Sequence, residues 1–568
     1  MDTEFDYVIA GAGSAGCVLA RRLADAGHAV LLLEVGGSDR SWIIRMPAGL
    51  RSAFKPTSRY NWWFETEPQA HLGGRRIQQP RGRVLGGSSS INGMTWLRGH
   101  ALDYERWEAE GATGWGWADC APYFKKIETR RIDSRHRGAH GPIHAQRQET
   151  LGVLNAAFLE AGQQAGFALT DDVNGLRQEG VSRFEMSVRD GVRNSSAYGY
   201  LHGRPRDAQL TIWLHCEVQR IRLQGGRATG LQVRHKGRMV EVRARREVIL
   251  ACGVFGSPQL LMLSGIGPAT HLREHGIPCQ ADLPGVGENL QDHLECHIQI
   301  ETREPVSLNR ELQPHRMLWA GIQWFGFKKG VAAVNQCHVG AFLNSAQDIA
   351  HPDIQFHFFP VFFDKQWIPV PTTYGYRIGV GPMRPTSRGR VRLRSRDVTD
   401  ALRIDPNYMA TDEDWRVMRE ALRLGLDVAH QPALRRFLHR EDTPGPQIRQ
   451  GRALDDFIRE DAASAYHPCG TCRMGPAHDP MAVVGPDLRV RGIDGLRVID
   501  ASVFPSVPSA NINAATIMLA EKACDLVLGQ PPLPPEPLPW HEQGGCGANR
   551  HSPRHADSPR HADRRLRA

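Results

Sequence analysis

The N-terminal segment, residues 5–34, alternates short apolar runs with a glycine-rich turn. Residues 7–10 and 29–33 are apolar runs of a length that predicts buried strands. Between them, apolar residues at helical spacing predict a helix that begins at the turn formed by residues 11–16. The pattern therefore predicts a strand–helix–strand unit whose second strand ends at an acidic residue, Glu34.

The turn has the spacing G-x-G-x-x-G. In such a turn Gly11 permits the sharp reversal, Gly13 lets the backbone approach a pyrophosphate, and Gly16 allows close packing of helix on strand. Phosphates would lie at the helix N-terminus, and Glu34 would bind a ribose diol. A carboxylate there would repel a 2′-phosphate, so the pattern favours FAD or NAD over NADP. A glycine-rich turn without a ligand is the alternative.

The apolar pattern further along the chain predicts that this unit is completed from distant segments. Residues 209–250 alternate in the manner of strands joined by tight turns, and their last run leads into a glycine. Residues 80–93 form a glycine- and serine-rich loop suited to a second contact with phosphates or a ring, or else a plain surface loop. Further elements are predicted as a helix at 257–263, a buried strand at 497–500 and a helix at 513–528.

Residues 295–465 lack nucleotide-binding patterns and predict a separate substrate domain. Strand-like runs at 354–359 and 389–393 indicate a largely antiparallel sheet, which helices at 412–429 and 452–461 would cover. Residues 531–568 are proline-rich and contain the sequence Ser-Pro-Arg-His-Ala-Asp twice. That composition cannot bury a core, so we expect disorder there.

Composition narrows the class of protein. A chain of 568 residues predicts two domains or one elaborated domain. The net charge of +9 is compatible with weak attraction to anionic membranes, but basic patches interleaved with aromatic residues are absent, which argues against nucleic acid. Eleven scattered cysteines indicate reduced thiols, and no apolar run is long enough to span a membrane. We expect a cytoplasmic protein, with the periphery of the inner membrane as an alternative location.

Reactive residues are most concentrated in residues 466–475. His467 is the natural general base there, because histidine titrates near neutrality, although a capping or core histidine is the alternative. Cys469 and Cys472 would suit a redox dithiol or half a metal site. The pair does not open a helix as thioredoxin-type motifs do, and no second pair matches it, so no metal is expected.

Two further segments carry candidate polar groups. Asp500 ends a predicted strand, and Asn511 and Asn513 open a predicted helix. A helix N-terminus beside a flavin would stabilise negative charge on the reduced ring, and Asn511 could donate a hydrogen bond to a substrate oxygen. N-capping is the alternative role for both asparagines.

Six ordered motifs together resemble the glucose–methanol–choline (GMC) family of flavin oxidoreductases. They are GAGSAG with Glu34, PRGRVLGGSSSINGM, GSPQLLMLSGIGP, PGVGENLQDH, HPCGTCRMG and IDASVFP followed by NINAATIMLAEK, and they span about residues 5–530. The resemblance implies an α/β (α+β overall) fold, in which a Rossmann-like FAD-binding domain joins a substrate domain with an antiparallel six-stranded sheet. It implies that FAD-binding segments are residues 1–150, 201–295 and 466–530, and that substrate-domain segments are residues 151–200 and 296–465.

The resemblance also implies roles for individual residues. His467 matches the family's catalytic histidine and Asn511 its second catalytic residue. The implied reaction oxidises a primary alcohol to an aldehyde, with proton abstraction by His467 and hydride transfer to flavin N5, and passes electrons to oxygen, a quinone or a carrier. Positions that match the FAD-binding site are Gly11, Gly13, Gly16, Glu34, Val84, Gly86, Asn92, Gly93, Met94, Thr95, Val218, Asp500, Ala501 and Asn513.

Two positions depart from the family's choline-oxidising members. Ile91 aligns with a histidine that binds flavin covalently in choline oxidases, so non-covalent FAD is expected. His338 aligns with a glutamate that faces a trimethylammonium group, and an imidazole is a poor partner for that cation. The sequence therefore favours a general alcohol over choline, which stays open as a second substrate. An NAD-dependent dehydrogenase, a lyase of the same fold and a non-catalytic FAD protein are the three competing functions.

Overall fold

The computed structural model describes residues 3–547, apart from residues 131, 133, 204–207, 543 and 544. Its α-helices, numbered in chain order, are Ser14–Asp25 (α1), Trp42–Arg45 (α2), Leu50–Ala53 (α3), Ala101–Ala109 (α4), Trp117–Ile127 (α5), Val153–Gln164 (α6), Ser196–Tyr200 (α7), Gly253–Leu263 (α8), Ala269–Glu274 (α9), Pro314–Phe327 (α10), Asp412–His430 (α11), Pro432–Arg435 (α12), Gly451–Asp461 (α13) and Asn513–Leu528 (α14). Short 3₁₀ helices are Pro47–Gly49, Ala70–Leu72, Gly87–Ser90, Leu308–Leu312, Val331–Ala333 and Ala501–Val503.

The first sheet confirms the predicted strand–helix–strand unit and its completion from distant segments. Its central strands run parallel, with Val8 opposite both Leu31 and Val248, and an antiparallel meander extends one side. In order across the sheet the strands are Leu210–Leu214, Val30–Glu34, Glu4–Ala10, Arg238–Leu250, Arg227–His235 and Cys216–Gln224, with Leu496–Val498 beside Arg238–Leu250.

Close packing of α1 on this sheet depends on glycine. A Cβ atom on Gly16 would lie 1.9 Å from the carbonyl oxygen of Gly11, so the first turn of the helix admits no side chain there. Gly11 itself has φ +95°, a conformation that glycine adopts at little cost. Helix α14 packs on α1 from the other end of the chain and ends at Gly529 in the left-handed conformation.

The second sheet has eight strands rather than the expected six. Across the sheet they are Leu438–Thr443, Leu294–Thr302, Gly375–Pro382, Ile354–Phe359, Val339–Leu343, Gly180–Arg183 and Leu169–Thr170, with Ala463–Ser464 beside Leu294–Thr302. Two short strands, at 169–170 and 463–464, account for the difference. The strand at 169–170 runs parallel to its neighbour. Helices α6, α11 and α13 cover the sheet and share its apolar core.

Smaller sheets surround these two. A five-stranded sheet consists of Thr95–Trp96, Glu128–Thr129, Ile143–Gln146, Glu185–Arg189 and Val192–Arg193. The predicted strand near 389–393 exists as Arg390–Arg392, but it pairs only with Arg403–Asp405 and not with the substrate sheet. Other two-stranded pairs are Phe64–Glu65 with Gln78–Gln79, Ile266–Gly267 with Ala281–Asp282, and Trp540–Glu542 with Gly545–Gly547.

Two expectations about chain segments need correction. Residues 151–200 do not all join the substrate domain, because α7 packs against α1 and its residues Ala197 and Tyr200 belong to the core of the first sheet. Residues 531–541 are ordered: the backbone N–H of Glu536 donates to Ala118 O, and the indole of Trp117 donates to Leu538 O. The repeated hexapeptide at 552–563 lies outside the described residues.

Within the described part of the chain, no helix combines the length and the apolar character needed to cross a membrane.

Candidate active site

A cavity of 1960 Å³ extends between the first and second sheets. Its wall includes the glycine turn and Glu34 together with His467 and Asn511. Of the sequence-predicted site residues, those in the wall are Gly11, Gly13, Glu34, Asn92, Gly93, Met94, Thr95, Val218, Asp500, Ala501, Asn513, His467 and Asn511. Gly16, Val84, Gly86 and His338 are not in the wall.

Helix α1 directs its N-terminus at this cavity. Gly13 is the N-cap and provides no side-chain cap, so the first N–H groups of the helix are available to an anion. The carboxylate of Glu34 accepts hydrogen bonds from the N–H of Ala12 at 3.1 Å and of Gly36 at 2.8 Å. Burial raises the pKa of Glu34 to about 7, against the opposing effect of these two donors. Such a carboxyl is suited to hydrogen bonding with a diol.

The glycine-rich loop closes against the same helix. A Cβ on Gly87 would lie 2.6 Å from the Cα of Gly13, so the two backbones are in contact. Downstream, the side chain of Asn92 accepts from Met94 N at 3.1 Å and from Arg193 at 2.9 Å, which fixes a turn in the cavity wall. Val84 and Gly86 support this loop from behind, since the Gly86 N–H donates to Ala12 O at 2.7 Å.

Asp500 holds the cavity wall through its side chain. Its carboxylate accepts from Gly253 N at 2.9 Å, Ser257 Oγ at 2.6 Å and Ser502 N at 2.8 Å. Burial raises the pKa of Asp500, and these donors oppose the rise. Asn513 is likewise occupied within the protein, because its Oδ1 accepts from Ser14 Oγ at 2.7 Å.

The cavity wall fits an extended dinucleotide. A helix N-terminus and a buried carboxyl suit a pyrophosphate and a ribose, and the same cavity wall includes His467. Cβ atoms built on Gly93 and Gly253 would meet no atom within 4 Å, so space remains beside both backbones. Ile91 lies in the wall and offers only an aliphatic side chain.

A chain of hydrogen bonds fixes the tautomer of His467. Nε2 of His293 lies 3.0 Å from Met383 O, and because a carbonyl only accepts, this nitrogen carries a proton. A neutral His293 therefore accepts at Nδ1, which lies 3.0 Å from Nδ1 of His467. It follows that His467 donates from Nδ1 and keeps a lone pair on Nε2.

The lone pair on Nε2 of His467 faces Asn511. Nδ2 of Asn511 donates to it at 2.9 Å, and Oδ1 of Asn511 accepts from Gln355 at 3.2 Å, which sets the orientation of the amide. Burial, followed by the charges of His293 and His357, lowers the pKa of His467 well below its usual range. Burial also lowers the pKa of His293 to about 4. Both rings are therefore neutral at physiological pH.

A carboxylate that the sequence analysis did not select lies in the same cavity wall. Glu295 is 3.4 Å from Nε2 of His297 and 3.3 Å from Nδ1 of His357. Burial alone would raise the pKa of Glu295, but the two histidines outweigh it and hold the pKa far below its usual range. Gly379 makes the arrangement possible, because a Cβ there would lie 2.8 Å from the Glu295 carboxylate.

His297 balances this charge from outside the cavity wall. Its Nδ1 lies 2.9 Å from Asp461 and its Nε2 faces Glu295, so both ring nitrogens meet carboxylates and both must donate. Burial alone would lower the pKa of His297, but Asp461 and Glu295 raise it. Glu295 therefore lies ionised in the cavity wall between His297 and His357.

The structure gives a different position to His338, the residue aligned with the family's substrate glutamate. Its Nε2 contacts Asn335 O at 2.5 Å, one residue before the strand Val339–Leu343 begins. Burial lowers the pKa of His338. The residue therefore gives no reason to exclude a cationic substrate.

Cys469 and Cys472 are buried free thiols outside the cavity wall. Burial raises the pKa of both thiols, which suppresses the thiolate form that redox chemistry and metal binding require.

The polar residues that sequence reasoning missed follow a strand pattern. Glu295 and His297 alternate with apolar residues in Leu294–Thr302, as Gln355 and His357 do in Ile354–Phe359. Alternation places each pair on one face of its strand. His297 and His357 both lie opposite Gly379, one on each side, which brings the two faces together. Polar side chains at every second residue of an otherwise apolar strand were the pattern from which these site residues could have been predicted.

The two-domain fold and a cavity that fits a dinucleotide are those of a dinucleotide-dependent oxidoreductase. Family models described as "GMC oxidoreductase" match the chain over residues 5–295 and 385–520. The protein belongs to the GMC oxidoreductase family. Its cofactor is FAD, and its reaction is the oxidation of an alcohol with transfer of electrons to an acceptor.

Curated relatives and solved structures agree with this assignment. The chain is 46% identical to the "oxygen-dependent choline dehydrogenase" of Sinorhizobium fredii over 532 residues, 93% of this chain and 96% of the relative. It is also 46% identical to human mitochondrial choline dehydrogenase, over 95% of this chain and 92% of that protein. Pyridoxine 4-oxidase from Mesorbium loti superimposes with a TM-score of 0.83 at 31% identity, covering 93% and 99% of the two chains. An Aspergillus oryzae formate oxidase gives 0.86 at 26%, with coverage of 93% and 99%.

Proposed function

We propose that the protein oxidises choline, or a closely similar primary alcohol with a quaternary ammonium group, to the aldehyde. The observation that carries this proposal is the position of the Glu295 carboxylate, which lies between His297 and His357 in the same cavity wall as His467 and Asn511. A quaternary ammonium cannot donate hydrogen bonds, so it is recognised by negative charge and aromatic faces. Aromatic residues in the cavity wall include Trp62, Trp63, Phe359, Phe363, Tyr466 and Trp367.

The names of the relatives support the same substrate. Two enzymes named choline dehydrogenase share 46% of their residues with this chain over nearly its whole length. His338 lies outside the cavity wall, and this position supports choline as a substrate. A general alcohol without a positive charge would leave the buried Glu295 carboxylate without a partner from the substrate.

In the proposed chemistry, residues of this chain accept one proton from the substrate and donate one hydrogen bond to it. A substrate hydroxyl donates its proton to Nε2 of His467 and accepts from Nδ2 of Asn511, which stabilises the developing alkoxide. Proton abstraction by a positioned base contributes about 10²–10⁴-fold to the rate. His293 positions His467 by holding the proton on its Nδ1. Bound FAD supplies the hydride acceptor.

FAD is proposed to bind without a covalent link to the side chain at position 91. Ile91 is the residue that the family alignment places at the site of attachment, and its side chain has no nucleophilic atom. We expect denaturation of the purified protein with acid to release all of the yellow flavin into the supernatant. Flavin that stays with the precipitated protein would contradict this proposal.

We expect His467→Ala to retain FAD and to reduce the rate of flavin reduction by choline by about 10²–10⁴-fold, because the variant lacks the base. The measurement is the anaerobic loss of flavin absorbance near 450 nm in a stopped-flow instrument. His439→Ala, at an exposed histidine, is the control and should react like the wild type. An unchanged rate in His467→Ala would remove this residue from the mechanism.

We expect the rate constant for flavin reduction at saturating choline to change less than about threefold from pH 8 to pH 6. An ordinary histidine would become protonated over this range, near pH 6.5, and would cease to act as a base. The pKa of His467 lies well below that value, so its Nε2 lone pair persists, and Glu295 also stays ionised. A fall of tenfold with an apparent pKa near 6.5 would show that His467 titrates normally.

We expect Glu295→Gln to raise the KM for choline by roughly 10²-fold, since an ion pair at about 4 Å contributes up to about 4 kcal/mol near a protein surface and desolvation offsets part of it. The KM for 3,3-dimethylbutan-1-ol, the uncharged isostere of choline, should change by less than about fivefold.

Glu301→Gln is the matched control for Glu295→Gln, because Glu301 lies on the same strand and its side chain pairs at the surface with Arg440. Equal effects of Glu295→Gln on both alcohols would mean that Glu295 has only a structural role. Reduction of the flavin by uncharged alcohols alone in the wild type would overturn the choline proposal and keep the alcohol oxidoreductase.

A further inference from the structure

Arg193 is a buried cation without an acidic partner. Its exposed fraction is 2%, and no aspartate or glutamate among the described residues pairs with its guanidinium. Arg98 and Arg497 are similarly buried, but they pair with Glu128 and Glu247. Burial lowers the pKa of Arg193 to about 9, so the side chain keeps its charge at physiological pH. A buried charge without a counter-charge is costly for a protein, and Arg193 therefore requires a functional explanation.

Carbonyl groups surround Arg193 in place of an acid. Its Nε donates to Ile44 O at 2.9 Å, and its Nη1 donates to Asn92 O at 2.7 Å and to Asn92 Oδ1 at 2.9 Å. The same Nη1 lies 3.4 Å from Ser89 O. Nη2 is buried and has no hydrogen-bond partner in the part of the chain that the structure describes. These acceptors are neutral, so they orient the guanidinium and leave its charge uncompensated.

One peptide group connects Arg193 with the catalytic cavity. Arg193 is not in the cavity wall, whereas Asn92 and Gly93 are. The carbonyl of Asn92 and the N–H of Gly93 belong to the same trans peptide group, in which the two bonds point in opposite directions. Because the carbonyl points at Arg193, the N–H points away from it. No acceptor among the described residues binds this N–H, so it is available to a molecule in the cavity.

The guanidinium strengthens the N–H at the other end of this peptide group. Hydrogen bonds in series polarise one another, and the effect is larger in a buried site of low dielectric constant. The N–H of Gly93 is therefore suited to an acceptor that carries negative charge. Asn92 and Gly93 match positions of the family's FAD-binding site, and Ile91 aligns with the residue that binds flavin covalently in choline oxidases. These matches favour the flavin ring as the acceptor.

The proposed reaction produces a negative charge on the flavin. The alcohol gives a proton to His467 and a hydride to bound FAD, which takes up two electrons with one proton and so gains one negative charge. Burial disfavours a positive charge on His467 and on His293, and Glu295 in the same wall is an anion. Charged groups of a protein tune the electronic properties of a flavin. A fixed cation behind the cavity wall would favour the reduced form.

We propose that Arg193 stabilises the negative charge of the reduced flavin through the peptide group of Asn92 and Gly93, and that it thereby raises the reduction potential of the flavin. Arg193 does not line the cavity, so it is a positioning residue and not a catalytic one. The proposal rests on the proposed function only in that bound FAD accepts a hydride, and it holds for any alcohol substrate.

The test measures the reduction potential of the flavin in the FAD-loaded, full-length protein. Xanthine and xanthine oxidase reduce the flavin together with a reference dye, without any alcohol, and the visible spectrum gives the ratio of reduced to oxidised flavin. At a fixed ratio of reduced to oxidised dye, we expect Arg193→Gln to lower the flavin ratio by at least about tenfold, which corresponds to about 30 mV for a two-electron couple. Arg193→Lys keeps the charge without the planar fork of donors, and its ratio should stay within about threefold of the wild type.

Arg189→Gln is the matched control. It removes one positive charge from an exposed residue of the strand Glu185–Arg189, which pairs with the strand that contains Arg193. Its ratio should stay within about twofold of the wild type, because solvent and salt screen an exposed charge. A purely structural role for Arg193 predicts equal falls in Arg193→Gln and Arg193→Lys, since both variants lose the fork that joins three carbonyl groups.

An unchanged potential in Arg193→Gln would overturn the proposal, as would equal falls in Arg193→Gln and Arg193→Lys. Weaker FAD binding at an unchanged potential would also overturn it and would assign the charge of Arg193 to the phosphates. If Arg193→Gln does not load FAD, Arg193→Lys decides the question, because a fall of about tenfold in a variant that keeps the charge contradicts the proposal. Failure of choline to reduce the flavin would instead reject the proposed substrate and leave this result intact.

Discussion

The position of His467 depends on the hydrogen bonds that the buried carboxylate of Asp292 accepts. It accepts the backbone N–H of His467 at 2.8 Å, the hydroxyl of Ser464 at 2.6 Å and the amide of Gln79 at 3.0 Å. Asp292 therefore connects the segment of His467 with two other parts of the chain. One is the strand Leu294–Thr302, which begins two residues after Asp292, and the other is the distant strand Gln78–Gln79. His293 is the next residue in sequence. Asp292 therefore fixes the backbone of His467, and His293 fixes its ring. A base held at both points keeps its lone pair aimed at one place, and positional precision of that kind is a large part of catalytic power.

Two carboxyl groups in the cavity wall have pKa values shifted in opposite directions. Glu34 receives only backbone N–H groups, and burial raises its pKa to about 7. Glu295 receives two imidazole rings, and its pKa falls although burial alone would raise it. Glutamate is thus suited to two tasks in this cavity. Glu34 can form hydrogen bonds with a ribose, and Glu295 can attract a cation. Environment, rather than residue type, sets the role of each carboxyl.

The sequence predicted the parts of the site that are local in the chain. The glycine turn with Glu34, and His467 with Asn511, are each recognisable within a few residues. Residues that act through strand pairing were missed, because Glu295, His297 and His357 meet only when two strands pair on either side of Gly379. His338, which aligns with a substrate glutamate of the family, lies outside the cavity wall, and sequence alone did not predict that position. The predicted disorder at 531–541 failed because extended proline-rich chain can satisfy its hydrogen bonds on neighbouring helices.

The proposed preference for a cation depends on what surrounds Glu295. Its carboxylate contacts His297 at 3.4 Å and His357 at 3.3 Å. Asp461 accepts from the other ring nitrogen of His297 and so shares the charge of that ring. These contacts hold the pKa of Glu295 far below its usual range, so the carboxylate stays ionised in the cavity wall. Removing an ionised side chain from water is costly for the protein, and a cationic substrate beside Glu295 would offset part of that cost. The proposed selectivity for a positively charged alcohol therefore rests on this contact and not on the base that removes the proton.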